Sequence, residues 1–207
     1  KKLENKSVFL SSVTDCYNSF EEKYQITRKI LEQLVDANCH IGISTKSKLI
    51  LRDIDLLKKF KDLTVSISIN TLDEKFKNDM DNANSIRDRI NTLKELHNQG
   101  IKTVLFMSPI FPYITDFKAI IEATKNYVNE YWFENLNLRG SYKKIILDYI
   151  KSNYPGIFNE YEKIYLFSDK QYWIDLSFEI EAYCKQNTIK YLNYFYHDEL
   201  VKNKRKS

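Results

Sequence analysis

Cysteine and glycine are scarce in this sequence, and each shortage excludes a class of site. The 207 residues include three cysteines, Cys16, Cys39 and Cys184, which lie far apart in the chain. Zinc knuckles, redox pairs and iron–sulfur loops need cysteines a few positions apart, so none of these motifs is present. The four glycines form neither GxGxxG nor GxxxxGK(S/T), which excludes the usual phosphate-binding loops.

Long apolar runs and a leader-like N-terminus are also missing. No stretch approaches the ~18–20 apolar residues that span a bilayer, and no signal peptide is visible. An odd, sparse set of cysteines argues against a secreted disulfide scaffold. We therefore expect a cytoplasmic protein with no membrane partner. Because the first residue is Lys1 rather than Met, we also expect a fragment of a longer chain.

Positive charge is only slightly in excess. The net charge is +4 and the sequence pI is near 8.7, below the value above about 9 that is typical of a dedicated nucleic-acid module. Part of the excess lies in Lys202–Ser207, within a basic tail over 198–207 that we expect to be disordered. A solvated terminus and a phosphate-binding arm both fit this tail.

The sequence does contain a repeated alternation of short β-rich runs and amphipathic segments. Strands are predicted at six places: Val8–Val13, Cys39–Ser44, Leu63–Asn70, Ile101–Met107, Val128–Leu138 and Ile189–Tyr196. Helices are predicted between them, over Glu22–Asn38, Asp53–Phe60, a segment from Ser85 to Gly100, Phe117–Tyr127, Tyr142–Ser152 and Lys170–Asn187, with Asp73–Asn84 as a loop or irregular helix. Such alternation predicts an α/β fold in a single domain, 1–207, and fits both a doubly wound sheet and a (β/α) barrel.

Polar residues occupy one face of the third predicted strand and the ends of several others. Thr64, Ser66, Ser68 and Asn70 alternate with apolar residues, which fits either a ligand-holding cleft or a solvent-exposed edge strand. Five of the strands end in hydroxyls, amides or charges, and ligands of α/β folds bind at the carboxyl ends of strands. This pattern favours a site for a zwitterionic or ribose-bearing small molecule, with Lys46 as a point charge.

Familiar catalytic templates are absent. His40, His97 and His197 are scattered, and neither HExxH nor GxSxG occurs. Residue patterns alone therefore indicate a binding site without a recognisable catalytic group.

Five motifs, taken together, resemble a known family. In order they are SSVTD from residue 11, ISTKS from 43 followed by LRDIDLL, SISINTLD from 66, FMSPIFP from 106 and WFENLNLRG from 132. This set is similar to the radical S-adenosylmethionine (radical SAM) proteins related to spore photoproduct lyase. The resemblance implies a partial TIM-like (β/α)6 barrel, with the first strand and the cluster loop missing from this chain. It also implies a 4Fe–4S cluster, bound by CxxxCxxC, that cleaves S-adenosylmethionine to a 5′-deoxyadenosyl radical.

The same resemblance implies roles for individual residues. Thr14 and Asp15 would lie beside the methionine amino group, and Lys46 beside the methionine carboxylate or the ribose. Ser68 and Asn70 would both point into the lumen at the ribose and carboxylate, and Ser108 would bring backbone groups near the adenine. The residues expected on the substrate side, or in the lumen, are Asn135, Asn137 and Arg139.

Two departures from the family pattern limit what the resemblance implies. CxxxCxxC is absent, so no metal ligands are expected in this chain, and the cluster ligands would lie upstream of Lys1 unless the protein has lost its chemistry. The hydrogen-donating cysteine of the lyase is replaced by Ser12, which makes repair of the spore lesion doubtful. Cys16 lies close by and is a weak catalytic candidate beside Ser12, although a plain buried cysteine also fits.

The expected function is a radical SAM enzyme with an unknown substrate. A flavodoxin or ferredoxin would be its electron donor. The alternatives are a nucleic-acid lesion-binding or repair module of the lyase type, and a non-catalytic small-molecule-binding barrel.

Overall fold

A computed structural model of the chain describes residues 3–11 and 13–195. Lys1, Lys2, Ser12 and residues 196–207 lie outside it. The predicted basic tail, His197 and the catalytic candidate Ser12 therefore fall outside the described residues.

Six strands form one sheet, and each corresponds to one of the six predicted runs. They are β1 (Ser7–Leu10), β2 (His40–Thr45), β3 (Leu63–Ser68), β4 (Lys102–Ile110), β5 (Glu130–Asn135) and β6 (Tyr191–Asn193). Their order in the sheet is β1-β2-β3-β4-β5-β6, and the pairs β1–β2, β2–β3 and β3–β4 are parallel. The edge-strand interpretation of β3 is therefore wrong, because β3 lies between β2 and β4.

Nine α-helices connect the strands within the described residues. They are α1 (Glu21–Tyr24), α2 (Ile26–Leu34), α3 (Ile54–Leu57), α4 (Glu74–Met80), α5 (Ile86–Asn98), α6 (Phe117–Thr124), α7 (Gly140–Asn153), α8 (Phe158–Tyr165) and α9 (Gln171–Gln186). Short 3-10 helices cover Lys48–Asp53 and Pro155–Ile157. In the described part of the chain, none of these helices combines the length and apolar character needed to cross a bilayer.

Side-chain caps explain why several helices begin where the sequence predicts. The Ser85 hydroxyl accepts from the Asp88 N–H at 3.1 Å, and the Asp116 carboxylate accepts from the Ala119 N–H at 3.0 Å. Gly100 follows α5 with φ +76°, a backbone conformation that suits glycine. Asp73 caps α4 by accepting from the Lys75 N–H at 2.7 Å, so part of the segment predicted as loop or irregular helix is a regular helix.

The helix predicted over Glu22–Asn38 is two helices. Gln25 adopts φ 52° and separates α1 from α2. The buried Glu21 carboxylate accepts from the Thr27 N–H at 2.9 Å and from the Arg28 N–H, and so satisfies the first amides of α2. Glu21 lies six residues before Thr27, whose N–H donates to it. Apolar periodicity does not reveal a side-chain cap of this kind, so the sequence predicted one continuous helix.

The described chain divides into two compact units. The first takes in the chain up to Met107 together with Asp116–Tyr131, and the second takes in Ser108–Thr115 and the chain from Trp132 on. In the first unit, one face of the sheet is apolar and fully buried, with Ile41, Ile43, Val65 and Leu105 at 0% exposure. In the second unit, Phe133, Ile150, Tyr161 and Ile180 are equally buried. The prediction of a single domain stays a prediction.

Candidate functional site

The other face of the first unit's sheet carries small side chains. Strand register places Gly42 beside Thr64, and Ser44 beside Ser66, so β2 and β3 contribute adjacent small residues to one surface. Ser44 and Ser68 are only 9% and 8% exposed. Among the described residues, neither hydroxyl has a hydrogen-bond partner, whereas the Ser66 hydroxyl donates to the Ile43 carbonyl at 3.3 Å. Buried hydroxyls normally have partners, so this surface offers two polar groups to a ligand.

Gly42 keeps this surface closely packed near β1. A methyl group built at Gly42 would lie 2.5 Å from Cδ2 of Phe9, which is well inside van der Waals contact. Because β2 has no side chain at this position, the Phe9 ring can lie directly against its backbone.

Asp15 ties the loop after β1 to the end of β2. Its carboxylate accepts from the Thr45 hydroxyl at 2.7 Å, the Lys46 N–H at 2.8 Å and the Tyr17 N–H at 2.9 Å. Thr14, next to it, is exposed. The position of this loop therefore depends on Asp15, and the predicted contact of Thr14 and Asp15 with a methionine amino group stays a prediction.

Lys46 is held by an acidic residue that the sequence analysis did not single out. Its Nζ lies 2.9 Å from Asp81 Oδ2, and Arg89 Nη2 lies 2.7 Å from Asp81 Oδ1. Burial raises the pKa of Asp81, but the hydrogen bond from Lys46 and the charges of Lys46 and Arg89 outweigh burial and lower it. Lys46 therefore has a fixed direction at the end of β2.

Arg89 completes this connection from inside the protein. It is 2% exposed, and it donates to the Asn84 carbonyl at 2.8 Å and to the Ser68 carbonyl at 3.2 Å. One side chain thus links α5, the loop before α5 and the carboxyl end of β3. Asn70, two residues beyond Ser68, is half-buried.

A second ionic cluster supports the loop after β1 and comes from the LRDIDLL motif. Asp53 is fully buried and receives hydrogen bonds from Arg28 at 2.9 Å, Arg52 at 2.8 Å and the Tyr17 hydroxyl at 3.1 Å. Burial raises the pKa of Asp53, but the bonds from Arg52 and Arg28 bring it below its usual range. Arg52 also pairs with Glu21 at 2.9 Å. The motif therefore anchors the loop that carries Asp15.

A cavity of about 510 Å³ opens beside this loop. Its lining includes Asp15, Asn18, Lys48, Asn82 and Asn84. Lys48 forms two contacts at this cavity. Its backbone N–H donates to Asn84 Oδ1 at 2.8 Å, and its Nζ lies 3.1 Å from Asp88 Oδ2.

Cys16 lies next to Asp15 and is half-buried. Its N–H donates to the Ser11 hydroxyl at 2.7 Å, and its carbonyl accepts from the Thr27 hydroxyl at 2.7 Å. Burial raises the pKa of the Cys16 thiol, so the thiol form dominates at neutral pH. Its catalytic role stays a prediction.

In the second unit, the predicted residues lie at or beyond the ends of β4 and β5. Ser108 donates a hydrogen bond to Glu134 of the neighbouring strand, a polar strand-end residue to which the sequence analysis gave no role in the site. Asn135 is half-buried, while Asn137 and Arg139 are exposed and joined by a 3.2 Å hydrogen bond. Alternation along WFEN could have identified Glu134, because buried Phe133 precedes it.

The described residues do not fit a metal cluster. No group of three or more His, Cys, Asp or Glu side chains among them could hold a metal ion. Cys39 and Cys184 are buried, and all three cysteines are free.

Comparison with known proteins gives consistent results. Residues 1–124 match the family model of the Radical SAM superfamily. The chain is 40% identical over 149 residues to an uncharacterized protein of Methanocaldococcus jannaschii, covering 72% of this chain and 56% of that one. It is 35% identical over 114 residues to an uncharacterized protein of the Acidianus two-tailed virus, covering 54% of this chain and 37% of that one. The chain therefore spans about half or less of the length of these relatives.

Solved structures with a similar fold include two radical SAM proteins. Streptococcus suis SuiB bound to S-adenosylmethionine has a TM-score of 0.58 at 16% identity, over 90% of this chain and 38% of SuiB. Spore photoproduct lyase with bound AdoMet and dinucleoside spore photoproduct has a TM-score of 0.56 at 13% identity, over 73% of this chain and 46% of the lyase. Together with the six-stranded sheet, these matches confirm the predicted α/β partial barrel.

Proposed function

Because this chain belongs to the radical SAM superfamily, we propose that it is the S-adenosylmethionine-binding part of a radical SAM enzyme. The observation that carries the proposal is the pair of buried Ser44 and Ser68 hydroxyls without described partners, near the carboxyl ends of β2 and β3. Ligands of parallel α/β folds bind at such ends.

The polar groups of S-adenosylmethionine suit this surface. Its ribose and carboxylate form hydrogen bonds readily with hydroxyls, so Ser44, Ser68 and the nearby Asn70 would hold them. Lys46, oriented by Asp81, would face the carboxylate as a point charge. Thr14 and Asp15 would lie at the amino group, with Asp15 also fixing the loop, and Ser108 near the adenine.

When bound, S-adenosylmethionine supplies the adenosyl group from which the family generates its radical. The residues of this chain would orient the cofactor and keep water from it. The three cysteines of this chain do not fit a 4Fe–4S cluster. The cluster is therefore proposed for the whole protein, and so is an electron donor of the flavodoxin or ferredoxin type. Cysteine ligands in CxxxCxxC would come from outside this chain.

Removal of the unpartnered hydroxyls tests the proposal. In the protein from the complete gene, reconstituted with iron and sulfide, Ser68→Ala and Ser44→Ala should each weaken S-adenosylmethionine binding about 3–10-fold, the value of one hydrogen bond. Isothermal titration calorimetry measures this, with exposed Ser152→Ala of α7 as the matched control. Unchanged affinity in both variants, or no reductive cleavage to 5′-deoxyadenosine by the reconstituted protein, contradicts the proposal.

A second candidate function is nucleic-acid lesion binding of the lyase type. It is supported by the structural similarity to spore photoproduct lyase and by the basic sequence of the tail. DNA binding that weakens steeply with salt and is lost on removal of Lys202–Ser207 would favour it.

A non-catalytic small-molecule-binding barrel is the remaining alternative. An upstream sequence without a cysteine triad would favour it over the radical enzyme.

A further inference from the structure

Glu134 is a half-buried carboxylate that has no cationic partner among the described residues, unlike Asp53 and Asp81. Among the described residues, no salt bridge reaches it, and its defined contact is the hydrogen bond donated by Ser108. Glu130, at the other end of the same strand, lies 3.3 Å from Lys102. A neutral hydroxyl orients the carboxylate of Glu134 without cancelling its negative charge.

Aromatic side chains lie on the same side of β5 as Glu134. Buried Tyr131 and Phe133 alternate with half-buried Trp132 and Glu134, so Trp132 and Glu134 share a face. Strand geometry puts their Cα atoms roughly 6–7 Å apart. Tyr194 donates its N–H to the Phe133 carbonyl at 2.8 Å, and its ring meets Trp132 edge-on at 5.9 Å. A carboxylate and an indole therefore project from the same face of β5.

We propose that Glu134, oriented by Ser108 and on the same face of β5 as Trp132, binds an alkylammonium group of the substrate. An ammonium ion would pair with the carboxylate and also interact with the face of the indole. An anionic or apolar ligand would leave a half-buried charge without a counter-ion, which is unfavourable. The inference rests on the proposed function only in assigning the ammonium group to a substrate.

Tryptophan fluorescence reports directly on ammonium binding near Trp132. The chain has only one other tryptophan, Trp173, which is 3% exposed and therefore shielded from a ligand in solution. Titration of the full chain with n-butylammonium chloride should change the emission of Trp132 saturably, whereas 1-butanol should not. Glu134→Gln should weaken the apparent affinity at least tenfold, and Ser108→Ala should weaken it severalfold. Glu130→Gln, on the same strand, serves as the matched control and should leave it unchanged. Trp132→Phe should remove the signal.

Several outcomes overturn the inference. Equal responses to butanol and butylammonium would show that charge is not recognised, and an unchanged affinity in Glu134→Gln would show that its carboxylate is not the acceptor. Glu134→Gln is nearly isosteric, and circular dichroism of each variant identifies any loss of fold.

Binding of S-adenosylmethionine to the wild type and to Glu134→Gln separates this inference from the proposed function. If Glu134→Gln abolishes it, the carboxylate serves the cofactor and the present inference fails alone, whereas a wild-type protein that binds no S-adenosylmethionine contradicts the proposed function.

Discussion

Asp53 and Asp81 of the first unit have different kinds of partner from Glu134 of the second unit. In the first unit, Asp53 receives bonds from two arginines and a tyrosine, and Asp81 lies between Lys46 and Arg89. In the second unit, Glu134 has the Ser108 hydroxyl as its one defined partner within the described part of the chain. Carboxylates surrounded by cations stabilise the fold at the strand ends, while a carboxylate without one remains able to attract a ligand. Partner type therefore separates Asp53 and Asp81 from Glu134, and it groups Glu134 with Asp15, whose three described donors are neutral.

The largest effect is expected at Asp53. Asp53→Asn leaves Arg28 and Arg52 without their buried acceptor, so the free energy of unfolding should fall by about 3–5 kcal/mol. Urea denaturation measures the change. Asp55→Asn is the control, because Asp55 contacts the same Arg28 but its side chain is 58% exposed, so this substitution should cost much less stability than Asp53→Asn. Equal costs would remove the distinction between the two kinds of carboxylate.

A somewhat smaller effect is expected at Arg89. Arg89→Lys keeps the charge but cannot donate to Asp81, Asn84 and Ser68 together, so the free energy of unfolding should fall by about 1–3 kcal/mol. Exposed Arg87→Lys on the same helix should be neutral. If both variants are equally stable in thermal denaturation, Arg89 does not hold the strand end.

Low pH should destabilise the protein because it protonates carboxylates of the first unit that are paired with cations. The pKa values of Asp53 and Asp81 are lowered in the folded state, and the hydrogen bond from Arg28 lowers that of Asp55 to about 2. The unfolded chain therefore binds protons first. Stability from these groups is fully present above about pH 4 and is lost as the pH falls toward about 2. Denaturation midpoints measured across this range should fall more steeply for the wild type than for Asp53→Asn, and parallel curves would contradict this assignment.

The smallest effect on stability is expected at Glu134. Because no cation in residues 3–11 and 13–195 pairs with this carboxylate, Glu134→Gln should change the free energy of unfolding by less than about 0.5 kcal/mol. Chemical denaturation of this variant beside Asp53→Asn compares the two units directly. A loss above about 2 kcal/mol would place Glu134 among the structural acids.

Local patterns predicted the local features of this fold. Short β-rich runs located all six strands, and the Ser85 and Asp116 caps follow from short-range side-chain chemistry. The ionic clusters were not predicted, because Asp53 meets Arg28 and Tyr17 only after helices and strands have packed. Strand alternation points to Glu134, but the charges around it were not predicted for the same reason as the ionic clusters. They depend on how the chain packs in three dimensions, and composition does not supply that.

Protection of the cysteines has a practical consequence for spectroscopy. Cys39 is buried, and burial raises the pKa of Cys16 and brings that of Cys184 to about 11. Thiolates are the species that maleimides and iodoacetamides attack, so these three positions should react slowly at neutral pH. A cysteine introduced on an exposed helix surface, for instance by Ser152→Cys, would react first. One fluorophore or spin label could then be attached at a chosen point without removing any native thiol.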